Sequence, residues 1–304
     1  MKTTVREERL LVISDVHMGN RLHRPRREFM DFVNFALENR YSLCINGDGI
    51  DISQLSLSHL MADLTPSLGL FLKFATADLR IYYTVGNHDI ALEHFLNDVG
   101  RMKVLPFVTF LSGDQRIRVE HGHMYDGMFL KFPGLYHFFT LIGRLAIGVS
   151  PRFYDALQGL NHAIIHTAEW ILSRFGKKEE RVVGSAIGIE GERECFRMGA
   201  EAVGVRGFDA VVFGHTHLAG SFEFADGVRY FNTGAWFSNP HCVAIDQGRI
   251  WYGPVSDLTK KGDPFPLSDD ALVASITGIF PIQRRGSVVL KLSAEELAAI
   301  RAAG

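Results

Sequence analysis

The sequence predicts an α/β protein, and three observations carry that. Four short, continuous apolar runs, Leu10–Ile13, Leu43–Ile45, Ile81–Val85 and Val211–Phe213, have the length and β-branched content of buried strands. Between the early runs, apolar residues recur at helical spacing. Each run ends in a polar loop that contains glycine. The bulk properties agree: of 304 residues, 47% are hydrophobic and 22% charged, the balance of an ordinary globular protein, so disordered and fibrous classes are excluded.

Taken in order, Leu10–Ile13 is the first strand and delivers Ser14-Asp15-Val16-His17 to the sheet edge. A basic segment, Arg21, His23, Arg24, Arg26 and Arg27, leads into a helix with Phe29, Val33, Ala36 and Leu37 on one face. Leu43-Cys44-Ile45 is the second strand and ends in Asn46-Gly47-Asp48-Gly49-Ile50-Asp51. Ile81–Val85 is the third and ends in Gly86-Asn87-His88-Asp89. A hairpin follows, Phe107–Leu111 against Arg116–Glu120 about a Ser112-Gly113-Asp114 turn, running into His121-Gly122-His123. From Gly127 to Gly184 the chain is aromatic and aliphatic at helical spacing. A helix over Glu192–Val203 then precedes the Val211 strand and its Gly214-His215-Thr216-His217 ending. A second hairpin turns at Asp226-Gly227 and ends in Asn232-Thr233-Gly234-Ala235-Trp236, and the tail after Ile250 reads as less regular. Residues 1–126 and 185–255 thus form the core, 127–184 an apolar helical insert or cap, and 256–304 a C-terminal extension.

Five strand-terminal loops hold nearly all the clustered metal-type ligands: Asp15 and His17, Asp48, Asn87 and His88, His121, then His215 and His217. Six of the 13 histidines lie in or beside them, a concentration that scattered surface imidazole does not explain. In an open α/β sheet, strand ends converge on a crevice, so one site is expected. Two divalent cations about 3.5–4 Å apart need a bridging carboxylate and N/O ligands on each side. Asp48, alone between glycines, suits the bridge. Asp15, His17 and one histidine of the last pair complete one ion; Asn87, His121 and the other histidine complete the second. Imidazole and carboxylate without thiolate point to Mn²⁺ first, with Fe or Zn as alternatives.

These motifs, in this order over about two-thirds of the chain, resemble the signature of the calcineurin-like metallophosphoesterases. The resemblance implies a four-layer αββα sandwich with a dinuclear site. It places Asp15, His17, Asp48 and His217 on the first metal and Asp48, Asn87, His121 and His215 on the second. It sets His88 beside the transferred phosphoryl group, where a protonated imidazole can stabilise the developing charge or donate a proton to the leaving oxygen as the catalytic residue. Asp89 then reads either as the residue that orients His88 or as a helix N-cap, and His123 either as support behind the ligands or as a solvated side chain.

The substrate reading rests on the insert. Phe129, Phe132, Phe138, Phe139, Leu141 and Leu145 belong to an apolar belt that either packs on itself or a partner chain, or forms an acyl groove or membrane-interface helix. The insert and the Asn232–Trp236 segment resemble the UDP-2,3-diacylglucosamine hydrolase branch, which cleaves a pyrophosphate. That branch carries Arg at the His88 position and His-Gly-Asp where this chain has His121-Gly122-His123. A phosphorylated small molecule or lipid is therefore the expected partner, with a soluble phosphodiesterase or phosphatase and a non-catalytic scaffold of the same fold as alternatives. A net charge of −2 and no long basic stripe argue against nucleic acid. Three cysteines without metal spacing and a charged N-terminus without an apolar core place the chain in the cytoplasm, peripheral on a membrane if the belt meets lipid. Leu130–Val149, broken by Lys131, Pro133, His137 and Arg144, is rejected as a span.

Overall fold

The computed structural model describes residues 3–19, 26–52, 69, 71–95, 98–99, 102–126, 189 and 191–267. The insert expected at 127–184 and its apolar belt, the basic segment over 21–25 and the extension beyond 267 lie outside the described residues. The first of two compact units, Met1–Pro266, carries the fold that follows.

Thirteen strands are present among the described residues, in two sheets. The seven-stranded sheet has the order β13 (Arg249–Pro254), β12 (His241–Asp246), β2 (Arg9–Ile13), β3 (Ser42–Asn46), β4 (Ile81–Thr84), β6 (Met102–Leu105), β5 (Asp98–Val99), with β2, β3, β4 and β6 parallel. The six-stranded sheet has the order β1 (Thr4–Arg6), β7 (Val108–Ser112), β8 (Gln115–Val119), β9 (Ala210–Phe213), β11 (Arg229–Asn232), β10 (Gly220–Glu223), with β8, β9 and β11 parallel. Parallel pairing sends the ends of β2, β3 and β4 out along one edge, and those of β8 and β9 along one edge of the other sheet.

Side-chain alternation sorts the core into three layers. Leu11 and Ile13 of β2, with Leu43 and Ile45 of β3, face α1 (Arg26–Glu38) and α3 (Val255–Lys261), where Phe29, Phe32, Val33 and Leu258 are buried. Leu10, Val12, Cys44 and Tyr82 point the other way and meet Phe110, Ile117, Val119 and Val212 between the sheets. Val211 and Phe213 leave the far side of the second sheet and pack on Phe196, Ala200 and Val203 of α2 (Glu194–Gly204). The result is the four-layer αββα sandwich. Because β2, β3 and β9 are covered on both faces, their sequences are continuous apolar runs and not alternating ones.

Three features depart from the sequence reading. The charged N-terminus supplies β1, which adds to β7 as an edge strand. The stretch from His241 is a hairpin, β12 on β13, and β12 joins the first sheet antiparallel to β2. The tail after Ile250 is regular through Lys261, since α3 buries Val255 and Leu258 three residues apart. Among the described residues no helix is long and apolar enough to cross a membrane. Cys44 and Cys242 are buried thiols on strands and form no disulfide.

Candidate metal centre

The loops at the strand ends are laced together by backbone hydrogen bonds that span both sheets. Asp15 N donates to Gly47 O at 3.1 Å and His17 N to Asp48 O at 2.9 Å, joining the β2 and β3 loops. Gly214 N donates to His121 O at 3.1 Å, joining those after β8 and β9. Asn46 bridges the sheets: its Nδ2 donates to Glu120 O at 3.0 Å, while its Oδ1 accepts Thr84 Oγ1 at 2.7 Å. Loop and side chain also approach too closely for a Cβ. One built on Gly86 would lie 2.2 Å from Asp48 Oδ1, and one on Gly214 2.5 Å from Asp15 Oδ2.

Backbone strain collects at the same place. Among the described residues, eight other than glycine have positive φ, and five of them are expected ligands: Asp15 (51°), His17 (51°), Asp48 (49°), His215 (68°) and His217 (61°). Left-handed backbone costs about 1–2 kcal/mol per residue, and such outliers cluster at functional sites. A buried Leu or Phe side chain contributes about 1.5–3 kcal/mol, so the three packed layers readily offset five strained loop residues. The His215–His217 segment is therefore not extended, and its imidazoles are not held to one side.

The imidazoles go to different groups. Ligand atoms of Asp15, His17 and His217 lie within 4.8 Å of one another, and so do those of Asp48, His121 and His215. In the first group His217 Nε2 is 3.2 Å and His17 Nε2 4.0 Å from Asp15 Oδ1. In the second, His121 Nε2 is 3.2 Å from both Asp48 Oδ2 and Asn87 Oδ1, so three donors meet at one spot. His121 Nδ1 is held by Asn46 O at 3.0 Å, and His215 Nε2 by Asp126 Oδ2 at 3.1 Å, leaving His215 Nδ1 for an ion. Both ring nitrogens of His17 are buried without a hydrogen bond. Burying such atoms unpaired is costly, and a divalent cation among two carboxylates, an amide and four imidazoles resolves it. The residues fit a dinuclear metal site.

Carboxylates and imidazoles shift one another's titration within the site. Burial opposes ionisation of Asp48, but His121 and His88 overcome it and hold its carboxyl well below the usual range. Burial likewise opposes the charged form of His121, yet Asp48 and Asp15 push it up to about 10. His123 is buried, its pKa pushed down to about 3 by burial and by His121 and His215, with its ring 5.5 Å from that of His121. Solvation of His123 is excluded, and it packs behind the ligands.

His88 takes as its partner not Asp89 but a different carboxylate. Its Nδ1 is 3.0 Å from Asp51 Oδ1, and Asp51 is fully buried. Asp89 faces elsewhere: its carboxylate accepts Gly86 N at 2.6 Å, Gly49 N at 3.0 Å and the Tyr83 hydroxyl. It neither orients His88 nor caps the 3₁₀ turn Ile90–Phe95 through its side chain. Asp51 also lies 3.7 Å from His17 Nδ1, and with His17 and His88 it makes a third cluster of potential ligands. The direct Asp51–His88 hydrogen bond marks that cluster as a means of orienting His88. Against burial, Asp48 and Asp51 raise the His88 pKa to about 9. Three residues that the sequence reading passed over support the site: Asp51, Asp126 and Glu192. Asp51 was the findable one, since it shares the Gly-flanked loop of Asp48. Arg27, from the basic segment, is exposed on α1.

A profile of the family described as calcineurin-like phosphoesterase matches residues 8–219, more than two-thirds of the chain and every expected ligand. No curated protein matches. Among solved structures, the chain is similar to an archaeal phosphodiesterase at 14% identity, covering 81% of this chain and 99% of that one with a TM-score of 0.40. It is similar to a predicted phosphoesterase from Streptococcus pneumoniae TIGR4 at 13% identity, covering 82% and 90% with a TM-score of 0.32. Vacuolar protein sorting 29 from Cryptosporidium parvum is 11% identical, with 82% and 97% covered and a TM-score of 0.38.

Proposed function

Because the chain belongs to the calcineurin-like phosphoesterase family and is thereby a metal-dependent phosphoester hydrolase, we propose that it cleaves a phosphodiester or phosphomonoester at a two-ion centre. Asp15, His17, Asp48 and His217 would hold one ion, and Asp48, Asn87, His121 and His215 the other, with Mn²⁺ the first choice. The observation that carries this is the pairing of the two ligand groups, one on Asp15 and one on Asp48. When bound, such ions supply Lewis acidity toward a phosphoryl oxygen and lower the pKa of an attacking water. The remaining work falls to the chain. Asp51 fixes the tautomer and orientation of His88 through Nδ1, so that Nε2 is the edge that can carry a proton. That proton would go to the leaving oxygen, where a poor leaving group needs it most. His88 N donates to Asp48 Oδ1 at 2.8 Å, which ties the backbone of the acid to the carboxylate that would bridge the ions.

A second reading keeps the lipid-linked substrate, UDP-2,3-diacylglucosamine. It is favoured by the Asn232–Trp236 segment, which resembles that branch and lies under the site: Trp236 N donates to Asp15 O at 3.1 Å, and Ser14 Oγ lies 2.6 Å from Thr233 Oγ1. The presence of His88 in place of arginine favours the first reading, because a phosphate leaving group needs little help from an acid. A panel with Mn²⁺ separates them: an aryl phosphodiester, an aryl phosphomonoester and UDP-2,3-diacylglucosamine. Turnover of the aryl esters alone supports the first reading and turnover of the lipid alone the second. A protein that binds Mn²⁺ and turns over none of the three would defeat both.

A further inference from the structure

The His215-Thr216-His217 loop sends one imidazole to each ligand group from two left-handed residues, and such backbone persists only where neighbours over-determine it. Two consecutive residues at the entrance to α2 do this. Glu192 Oε1 accepts three hydrogen bonds: from Thr216 Oγ1 at 3.2 Å, Tyr230 OH at 2.9 Å and Asn232 Nδ2 at 3.1 Å. Asn232 Nδ2 also donates to Thr216 Oγ1 at 2.9 Å and to Gly214 O at 3.0 Å, so Thr216 is gripped between the two histidines. Arg193 Nη2 then donates to Asp126 Oδ2 at 2.6 Å, the same oxygen that holds His215 Nε2. One dipeptide thus reaches the loop at its centre through Thr216 and at its first imidazole through Asp126.

We propose that Glu192 and Arg193 are positioning residues that clamp the His215–His217 loop and so set the metal affinity of both ligand groups. Neither touches the reacting atoms. The inference rests on the two-ion reading, and a calorimetric titration of the wild-type protein with Mn²⁺ separates the two: absence of binding there defeats the reading itself. With wild-type binding established, Glu192→Ala is expected to raise the Mn²⁺ Kd about 10- to 100-fold, the range seen when outer partners of a ligand are lost. Glu192→Gln keeps an oxygen that accepts the same three bonds and is expected to restore the affinity to near wild type. Thr216→Val removes the gripped hydroxyl at nearly constant volume and is expected to repeat the loss, which keeps the test in force if Glu192→Ala does not fold. Arg193→Ala is expected to weaken binding less, because its side chain is 46% exposed. The melting midpoint of the metal-free protein is read in parallel. A merely structural Glu192 would lower that midpoint in Glu192→Ala and leave the Kd alone. Wild-type Kd in both Glu192→Ala and Thr216→Val would overturn the clamp, as would a loss in Glu192→Gln equal to that in Glu192→Ala.

Discussion

The two ligand groups differ in how they are held. Around Asp48, the His121 and His215 rings are each pinned through their second nitrogen, and Asn87 closes on His121. Around Asp15, His17 has no hydrogen bond at either nitrogen, and the His217 side chain is 37% exposed beside the equally open Phe237, whose ring lies 5.1 Å away. One group is preorganised by hydrogen bonds and the other mainly by backbone conformation. Preorganisation removes ordering cost at the moment of binding. The Asp48 group is therefore expected to load first and release last.

The largest effect tests what the groups share. Asp48→Ala is expected to abolish both binding events and drop turnover by at least about 10³-fold; one ion retained at wild-type affinity would show that Asp48 is not the bridge. Next, His121→Ala and His217→Ala set the groups against each other. In a Mn²⁺ titration the first should remove the tighter event and the second weaken only the looser one, and equal losses would erase the asymmetry. Asp51→Asn comes third: both ions should stay, while kcat falls about 10- to 100-fold on a substrate with a poor leaving group, a share of what an acid contributes.

The fourth test is pH. His88 and His121 have pKa values raised to about 9 and about 10, so in the metal-free protein their stabilisation is complete below about pH 6.5 and is lost as pH climbs through those values. Asp15, Asp48 and Asp51 are lowered, so theirs is present above about pH 4 and is lost on acidification. Melting in EDTA should thus decline from about pH 6.5 toward pH 10, while added Mn²⁺ should reverse that decline by taking the place of the protons. A metal-free midpoint that rises toward pH 10 would contradict these assignments. The smallest effect is expected from Phe237→Ala, at the open lip of the Asp15 group: a rise of about three- to tenfold in KM for an aryl ester and little for a methyl ester, the scale of one aromatic contact.

Much of this was legible in the residues. Runs such as Leu10–Ile13 and Val211–Phe213 are apolar throughout because both faces are covered, and covered strands end where polar residues begin, so the loops that carry the candidate ligands stand out. Less was legible where a side chain chooses between partners distant in sequence. Asp89 follows His88 directly and reads equally as its orienter or as a helix N-cap, but the β4 loop turns Asp89 toward Gly49 and Tyr83 and brings Asp51, 37 positions away, onto the imidazole. Nor does a His-x-His pair disclose that both residues are left-handed; read as extended backbone, its imidazoles share a side. The β12–β13 hairpin was within reach, since Gln247 and Gly248 at φ 49° and 82° form the two-residue turn that Gly favours.

Asp15, Asp48 and Asn87 come from loops of the seven-stranded sheet, and His121, His215 and His217 from loops of the other. Neither sheet alone carries a complete donor set. Ions held by these donors would add to the apolar layer that already joins the sheets and act as rivets through the seam. At a free concentration a thousandfold above Kd, each rivet would add about 4 kcal/mol against separation. Chelation should show first as faster amide exchange along the facing strands β3 and β8, well before any helix is lost.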